Sequence, residues 1–197
     1  VESGKAAKAP ANPTREGYSF TGWDKSFNNV TSNLTVRAQY KVNTYTVSFD
    51  SNGGSAVATV KVDYGTKLEA PANPTKEGYI FAGWFIDKAM TKAWNFEKDT
   101  IPANDITLYA KWNEIKVSAI SVEPTELTLT VGDTGTITAT VEPEDATNKD
   151  VTWSSSDESV ATVDENGVVT AVAAGRAEIT VTSVADEEIS AEIKVTV

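Results

Sequence analysis

Cysteine and histidine are both missing from this 197-residue chain. Without Cys there is no disulfide to staple a small domain, and no thiolate to act as nucleophile or metal ligand. Without His the commonest general base and the commonest transition-metal ligand are gone, so Ser–His and Cys–His catalytic machinery is excluded within the chain. No apolar run approaches the ~20 residues that a membrane-spanning helix needs. Basic residues become scarce late in the chain: residues 114–197 hold 4 Lys/Arg against 17 Asp/Glu, whereas residues 1–113 hold 13 against 11. The net charge of −11, with no basic stripe to offset it, argues against nucleic-acid binding and against attraction to anionic lipid. The acidity reads as a solubility feature. Aromatics thin out too, with 16 of the 17 at or before Trp112 and only Trp153 beyond it. This shift in composition sets a domain boundary at Asn113–Lys116.

What is present is a repeat. Pro10–Trp23 returns as Pro71–Trp84, shifted by 61 residues, with 11 of 14 positions identical. Self-similarity at such a period marks a modular array. Residues 43–113 read as one complete module. Tyr45–Phe49 alternates and is rich in strand formers, Asp50-Ser-Asn-Gly-Gly54 is a hairpin turn, and Ala58–Tyr64 is the return strand. Pro74-Thr-Lys-Glu-Gly78 suits a single helical turn, capped by Asn73 and ended by Gly78. Tyr79–Trp84 and Ile106–Trp112 are further strands, and Asp87–Asp105 is irregular, with Trp94 and Phe96 as anchors.

Residues 1–42 match the later part of that module. Gly4 answers Gly65, and Thr35–Tyr40 answers Thr107–Trp112 at a shift of 72, so the first copy is shorter by 11 residues after Trp23. It has no counterpart of Tyr45–Lys61, so it is expected to be an incomplete module with an open sheet edge, relieved by packing on the second module, by a shorter autonomous sheet or, the favoured outcome, by self-association of the chain through that edge.

Residues 114–197 read as a sandwich of short strands. Thr136–Val141, Glu178–Thr182 and Glu192–Val197 alternate with period two, as half-buried antiparallel strands do. Turn signals recur at Val131–Asp133, Pro143–Asp145, Glu165–Gly167 and Ala174–Arg176. Trp153 is the expected core aromatic, placed between two sheets.

Two family resemblances rest on these residues. Tyr45–Trp112 resembles the Listeria–Bacteroides repeat, also called the internalin B-repeat, through Tyr45–Asp50, Asn52–Gly54, Pro71, Pro74-Thr75, Gly78-Tyr79, Phe81, Gly83-Trp84 and Leu108–Trp112. Val1–Tyr40 resembles the same family without its first hairpin. Val117–Val197 resembles the bacterial immunoglobulin-like group 2 domain through Ile120–Val122, Pro124, Val131-Gly132, Pro143, Val151–Ser156, Val160–Asp164, Gly167–Val172, Gly175 and Ile179–Val181. The resemblance implies a mainly β chain: β-grasp-like repeat modules (α+β, with a short helix), then an immunoglobulin-like antiparallel β-sandwich. It also implies an exported bacterial protein, extracellular at the cell surface or secreted, with such modules in tandem. Neither family brings a catalytic motif, and the lack of a Leu-Pro-x-Thr-Gly signal fits an interior fragment.

Candidate chemistry has bland competitors. Tyr18/Tyr79, Phe20/Phe81 and Trp23/Trp84 are either core or sugar-stacking platforms; recurrence at fixed module positions favours core. Phe85, Trp94 and Tyr109 divide between core, inter-module contact and platform. Asp164-Glu-Asn-Gly167 opens like a calcium loop but lacks the ligand spacing and closing Glu, so a turn is expected. Glu142, Glu144 and Asp145 flank Pro143 in a solvated loop, and a glycosidase pair would need a cleft. Asn29-Val-Thr31 and Asn33-Leu-Thr35 match the glycosylation pattern, which carries little weight in a bacterial protein. The expectation is a non-catalytic segment with no catalytic, cofactor-binding or metal residues, acting as stalk or adhesion module. Its partners would be a host or matrix protein or a glycan, with no nucleic acid and no membrane insertion. The alternative is a glycan- or protein-binding accessory region of a secreted carbohydrate-active enzyme.

Overall fold

The computed structural model describes all 197 residues and contains fifteen β-strands and no helix. The chain divides into two compact units, Val1–Pro74 with Ala82–Lys111, and Thr75–Phe81 with Trp112–Val197.

The first copy of the repeat forms an antiparallel hairpin, β1 (Tyr18–Trp23) with β2 (Ala38–Val42). Asn43 alone separates β2 from β3 (Thr44–Asp50). The next strands are β4 (Val60–Asp63), β5 (Tyr79–Phe85) and β6 (Ile106–Glu114). They make a mixed sheet in the order β4-β3-β6-β5, with the central pair β3 and β6 parallel. The turn after β3 is type I′: Asn52 and Gly53 both have positive φ, and Gly54 N–H donates to Ser51 C=O at 3.0 Å. That backbone twist matches the twist of a hairpin. The return strand starts later than the alternation suggests, at Val60 rather than Ala58.

The α+β part of the expectation is overturned. Pro74–Gly78 forms no helical turn; Lys76 C=O accepts from Tyr79 N–H at 3.1 Å, and Gly78 sits at φ 75°. A positive φ at the third of four turn residues defines a type II turn. Four residues before a glycine would gain at most one helical bond for several fixed dihedrals, too little to nucleate a helix. Arg15–Tyr18 repeats the same turn, with Gly17 at φ 73°.

The late strands are β7 (Ala119–Glu123), β8 (Glu126–Thr128), β9 (Thr134–Thr136), β10 (Thr138–Glu142), β11 (Val151–Ser155), β12 (Ala161–Val163), β13 (Val168–Ala171), β14 (Arg176–Ser183) and β15 (Ser190–Thr196). They pair as β11-β14-β15-β8, β12-β13-β9 and β10-β7, an arrangement consistent with an immunoglobulin-like domain. Pairing is antiparallel except at the edge, where β8 runs parallel to β15. The expected single strand Thr136–Val141 is broken at Ile137. Ile137 is buried, and its N–H leaves both ladders to donate to Gly167 C=O at 2.9 Å. Before it the chain pairs with β13, and after it with β7, so one residue carries the strand from sheet to sheet. Ile137, Val169, Ile179, Val181, Ile193 and Val195 form the core. Trp153 packs against this cluster as expected of the domain's core aromatic, but it is half-buried rather than buried between the sheets.

Candidate functional site

An array module has two kinds of candidate surface: its aromatic face and its joints. None of the 17 aromatics is exposed; Trp84, 3% accessible, is buried, and the rest are half-buried. The repeated positions pair edge to face rather than forming a platform. Phe20 meets Tyr40 at 5.9 Å and 72°, and its counterpart Phe81 meets Trp112 at 5.5 Å and 65°. Phe49 stands on Trp84 at 5.0 Å and 64°. Edge-to-face pairs stabilise small cores, but rings steeply inclined to one another present no coplanar row to a sugar chain. The guanidinium of Arg15 lies 3.9 Å from the Tyr18 ring centre and the ammonium of Lys76 4.3 Å from that of Tyr79, so both copies cap this ring with a cation. Of Phe85, Trp94 and Tyr109, Phe85 lies beneath Lys111 at 5.2 Å, while Trp94 and Tyr109 are half-buried.

The joints are built from main chain. In the first unit, Asn43 N–H donates to Gly17 C=O, and Asn43 C=O accepts from Tyr64 N–H, both at 2.9 Å. The Ser19 hydroxyl donates to Asn43 Oδ1 at 2.5 Å. The Tyr64 ring packs edge-on against Tyr18 at 5.9 Å, directly over Gly17. A β-carbon at Gly17 would fall inside the Tyr64 ring. Glycine is therefore required there twice, for its φ and for the space.

The second unit contains the same arrangement at the repeat-equivalent positions. Ile115 stands 72 residues after Asn43, and Gly78 stands 61 after Gly17. Ile115 C=O accepts from Thr147 N–H at 2.9 Å, as Asn43 C=O does from Tyr64. Ile115 N–H donates to the Thr147 hydroxyl at 2.8 Å, and that hydroxyl donates to Gly78 C=O. A threonine hydroxyl is thus inserted where Asn43 N–H reaches Gly17 directly. A β-carbon at Gly78 would lie 3.2 Å from Thr147 Cα. Sequence reasoning finds the recurring glycines but misses Asn43, Tyr64 and Thr147, whose roles are carried largely by backbone atoms. The one available signal is the 72-residue frame that aligns Asn43 with Ile115.

The carboxylates serve turns. Asp164 Oδ1 accepts from the N–H groups of Asn166 and Val168 at 2.9 and 2.8 Å, and the Val168 bond is the main cause holding its carboxyl below the usual aspartate value. Asp157 is lowered chiefly by the Ser159 hydroxyl, and Asp87 chiefly by Thr91 N–H. Glu142, Glu144 and Asp145 lie exposed around Pro143, as expected of a loop, and Asn29 and Asn33 are exposed as well.

Comparison with known proteins agrees with this architecture. The model of the Listeria-Bacteroides repeat domain matches residues 1–44 and again residues 45–111, and that of the bacterial Ig-like domain (group 2) matches residues 116–195. Neither describes a catalytic domain. Internalin H of Listeria monocytogenes is 38% identical over 125 residues, covering 58% of this chain and 22% of that protein. An alpha-L-arabinofuranosidase of Bifidobacterium longum is 34% identical over 171 residues, covering 85% of this chain and 15% of the enzyme. A Gly-rich protein of Evansella cellulosilytica with a membrane-protein name is 42% identical over 133 residues, covering 62% of this chain and 15% of its own. The chain therefore spans a quarter or less of each of these relatives. Domains 4 and 5 of the S-layer protein SbsC overlap 76% of this chain and 92% of theirs at 18% identity, with a TM-score of 0.38. With two consecutive matches covering more than half its length, the chain belongs to the Listeria–Bacteroides repeat family, and a bacterial Ig-like group 2 domain follows the second repeat.

Proposed function

We propose that this chain is a non-catalytic spacer segment of an exported bacterial cell-surface protein, a stalk that also serves as an adhesion module. The observation that carries the reading is the repeated joint. In each copy the Gly–Tyr turn that leads into β1 or β5 is held to the residue after the copy's last strand, and a later residue closes it. The one-residue connection at Asn43 has both backbone groups engaged, which leaves little freedom to swivel. Each such hydrogen bond contributes about 1 kcal/mol net, enough in combination to favour one geometry over many. A spacer needs persistent geometry and no chemistry. Any binding partner, a host or matrix protein or a glycan, belongs to this reading as a surface contact. The test is NMR relaxation on residues 1–113. A spacer requires the two copies to tumble with one correlation time; independent tumbling would remove the mechanical basis.

A second reading is an accessory region of a secreted carbohydrate-active enzyme, favoured by the likeness to the arabinofuranosidase. The half-buried, mutually inclined rings weigh against it. Affinity electrophoresis through arabinan-type polysaccharides separates the two, since retardation of the fragment would favour the accessory reading.

A further inference from the structure

Tension along a chain enters a module through its first strand and leaves through its last. In the second copy these strands are β3 and β6, and they are neighbours in the sheet order β4-β3-β6-β5. They run parallel, with Val47 opposite Ile106 and Asp50 opposite Tyr109. The chain therefore enters at one end of the pair and leaves at the other. A pull on both ends slides the strands along each other and loads all four residue pairs at once. A pull that parted two strand ends lying side by side would break the same pairs one after another. The Ig-like region repeats the feature, with Glu126–Thr128 of β8 parallel to Lys194–Thr196 of β15.

A side chain reinforces each end of the β3–β6 pair, just outside the paired stretch. At the leading end Thr46 N–H donates to Asp105 Oδ1 at 2.7 Å. At the trailing end the Asn52 carboxamide nitrogen donates to Ala110 C=O at 2.6 Å. Both bonds join the β3 side to the β6 side, so sliding must break them along with the ladder. The two strands are also the inner pair of the sheet, each flanked on both sides. Val47, Leu108 and Ala110 are fully buried, and Phe49 stands on Trp84. Water that does not reach a strained hydrogen bond cannot replace it, so the bonds yield together.

We propose that the β3–β6 pair, closed by Asp105 and Asn52, is a mechanical clamp, and that the second copy bears tension along the chain as well as holding distance. Its use in the cell rests on the spacer reading above. The clamp itself is read from lifetimes under force and not from tumbling, so either can fail alone. The turn after β3 then has a second duty. Asn52 suits the type I′ turn through its positive φ, and its side chain ties that turn to the last strand. Glycine would serve the turn equally well, so the carboxamide is what the clamp requires of this position.

The test is constant-force spectroscopy on the full chain, which has no cysteine of its own to compete for attached handles. Handles at Thr44→Cys and Asn113→Cys load the pair in shear. Handles at Thr44→Cys and Asn104→Cys, both at its leading end, peel it. These three residues are exposed, so the handles leave the core intact. The length released, about 3.5 Å per residue, shows that the folded module is what opens. At one force the sheared module is expected to survive about thirtyfold longer than the peeled one, the equivalent of two hydrogen bonds breaking together rather than in turn. Asn52→Gly should shorten the sheared lifetime about fivefold, the equivalent of one bond. It should leave the peeled lifetime unchanged, because peeling begins at the other end. Equal lifetimes in the two geometries would overturn the proposal. So would an Asn52→Gly effect of the same size in both, the mark of a general stabiliser, or no effect of that variant in shear.

Discussion

Thr147→Val probes the joint with the least change of shape. Valine keeps the branch at Cβ, and the bond from the residue's own N–H to Ile115 C=O at 2.9 Å is retained. What is lost is one hydroxyl with two duties, accepting from Ile115 N–H at 2.8 Å and donating to Gly78 C=O. A neutral hydrogen bond contributes about 1 kcal/mol net, and a buried group left unpaired costs about 1–3 kcal/mol. Both bonds are partly buried, so water recovers some of the loss. The expected destabilisation is therefore about 1–2 kcal/mol, the sum of two discounted terms. Urea unfolding measures it as a lower midpoint at constant slope, and hydrogen exchange at the Ile115 amide localises it. Thr147→Ser keeps the hydroxyl and should restore most of the stability. If the Thr147→Val protein matches the native one within about 0.3 kcal/mol and the Ile115 amide exchanges no faster, the hydroxyl does not bridge these groups and the equivalence of the joints fails.

Three further outcomes are expected. Gly17→Ala should destabilise the first unit by roughly 1–3 kcal/mol, and by clearly more than Gly65→Ala, which shares a φ near 75° but has open space at its β-carbon; equal losses in thermal melts would mean the Tyr64 ring does not press on Gly17. Trp153→Ala should cost about 3 kcal/mol, the lower end of the range for aromatic truncation because the ring is half-buried; an unchanged melting temperature would show that the aliphatic core stands without it. Asp87, Asp157 and Asp164 are held below their usual values, so their contribution is full above the unfolded pKa near 4 and is lost as pH falls through the lower folded values. Stability should therefore decline below about pH 4, and the Asp→Asn triple variant should show a shallower acid slope in pH-dependent urea titrations.

Much of the fold is legible in the sequence because alternation is a direct record of a half-buried strand. Tyr79–Phe85, Ile106–Glu114 and Arg176–Ser183 extend the predicted strands by only a residue or two at an end. The helix expected at Pro74–Gly78 fails because Pro and Gly punctuate turns as well as helices, and single-turn length does not separate the two. The break at Ile137 is illegible because its residue continues the alternation; only the pairing partners change there. Leu34–Arg37 shows the converse. Thr35–Tyr40 alternates like a strand, but β2 begins at Ala38, since a sheet edge becomes a strand only where a partner pairs with it. The recurring aromatics are expected in the core, and the edge-to-face pairs agree, yet most remain half-buried. A module of roughly 70 residues or fewer has too little interior to enclose large rings completely.

The joint explains how one module can be succeeded by either of two unrelated ones. Its receiving side is a glycine carbonyl, Gly17 or Gly78, together with the N–H and C=O of Asn43 or Ile115. Asparagine and isoleucine share no side-chain chemistry, so their common role lies in the peptide groups. The closing side is Tyr64, from a repeat hairpin, in one case and Thr147, from the Ig-like region, in the other. These two also share only a main-chain N–H aimed at the same carbonyl. Every non-proline residue carries such a donor. A seat that reads the backbone demands smallness at the glycine and little else of the next module. The side chains then adjust the fit: the Tyr64 ring covers Gly17 by packing on Tyr18, and the Thr147 hydroxyl fills the gap between Ile115 N–H and Gly78 C=O. A recurring Gly–Tyr turn is therefore legible in the sequence as the constant half of the joint, while its variable half leaves no pattern to find.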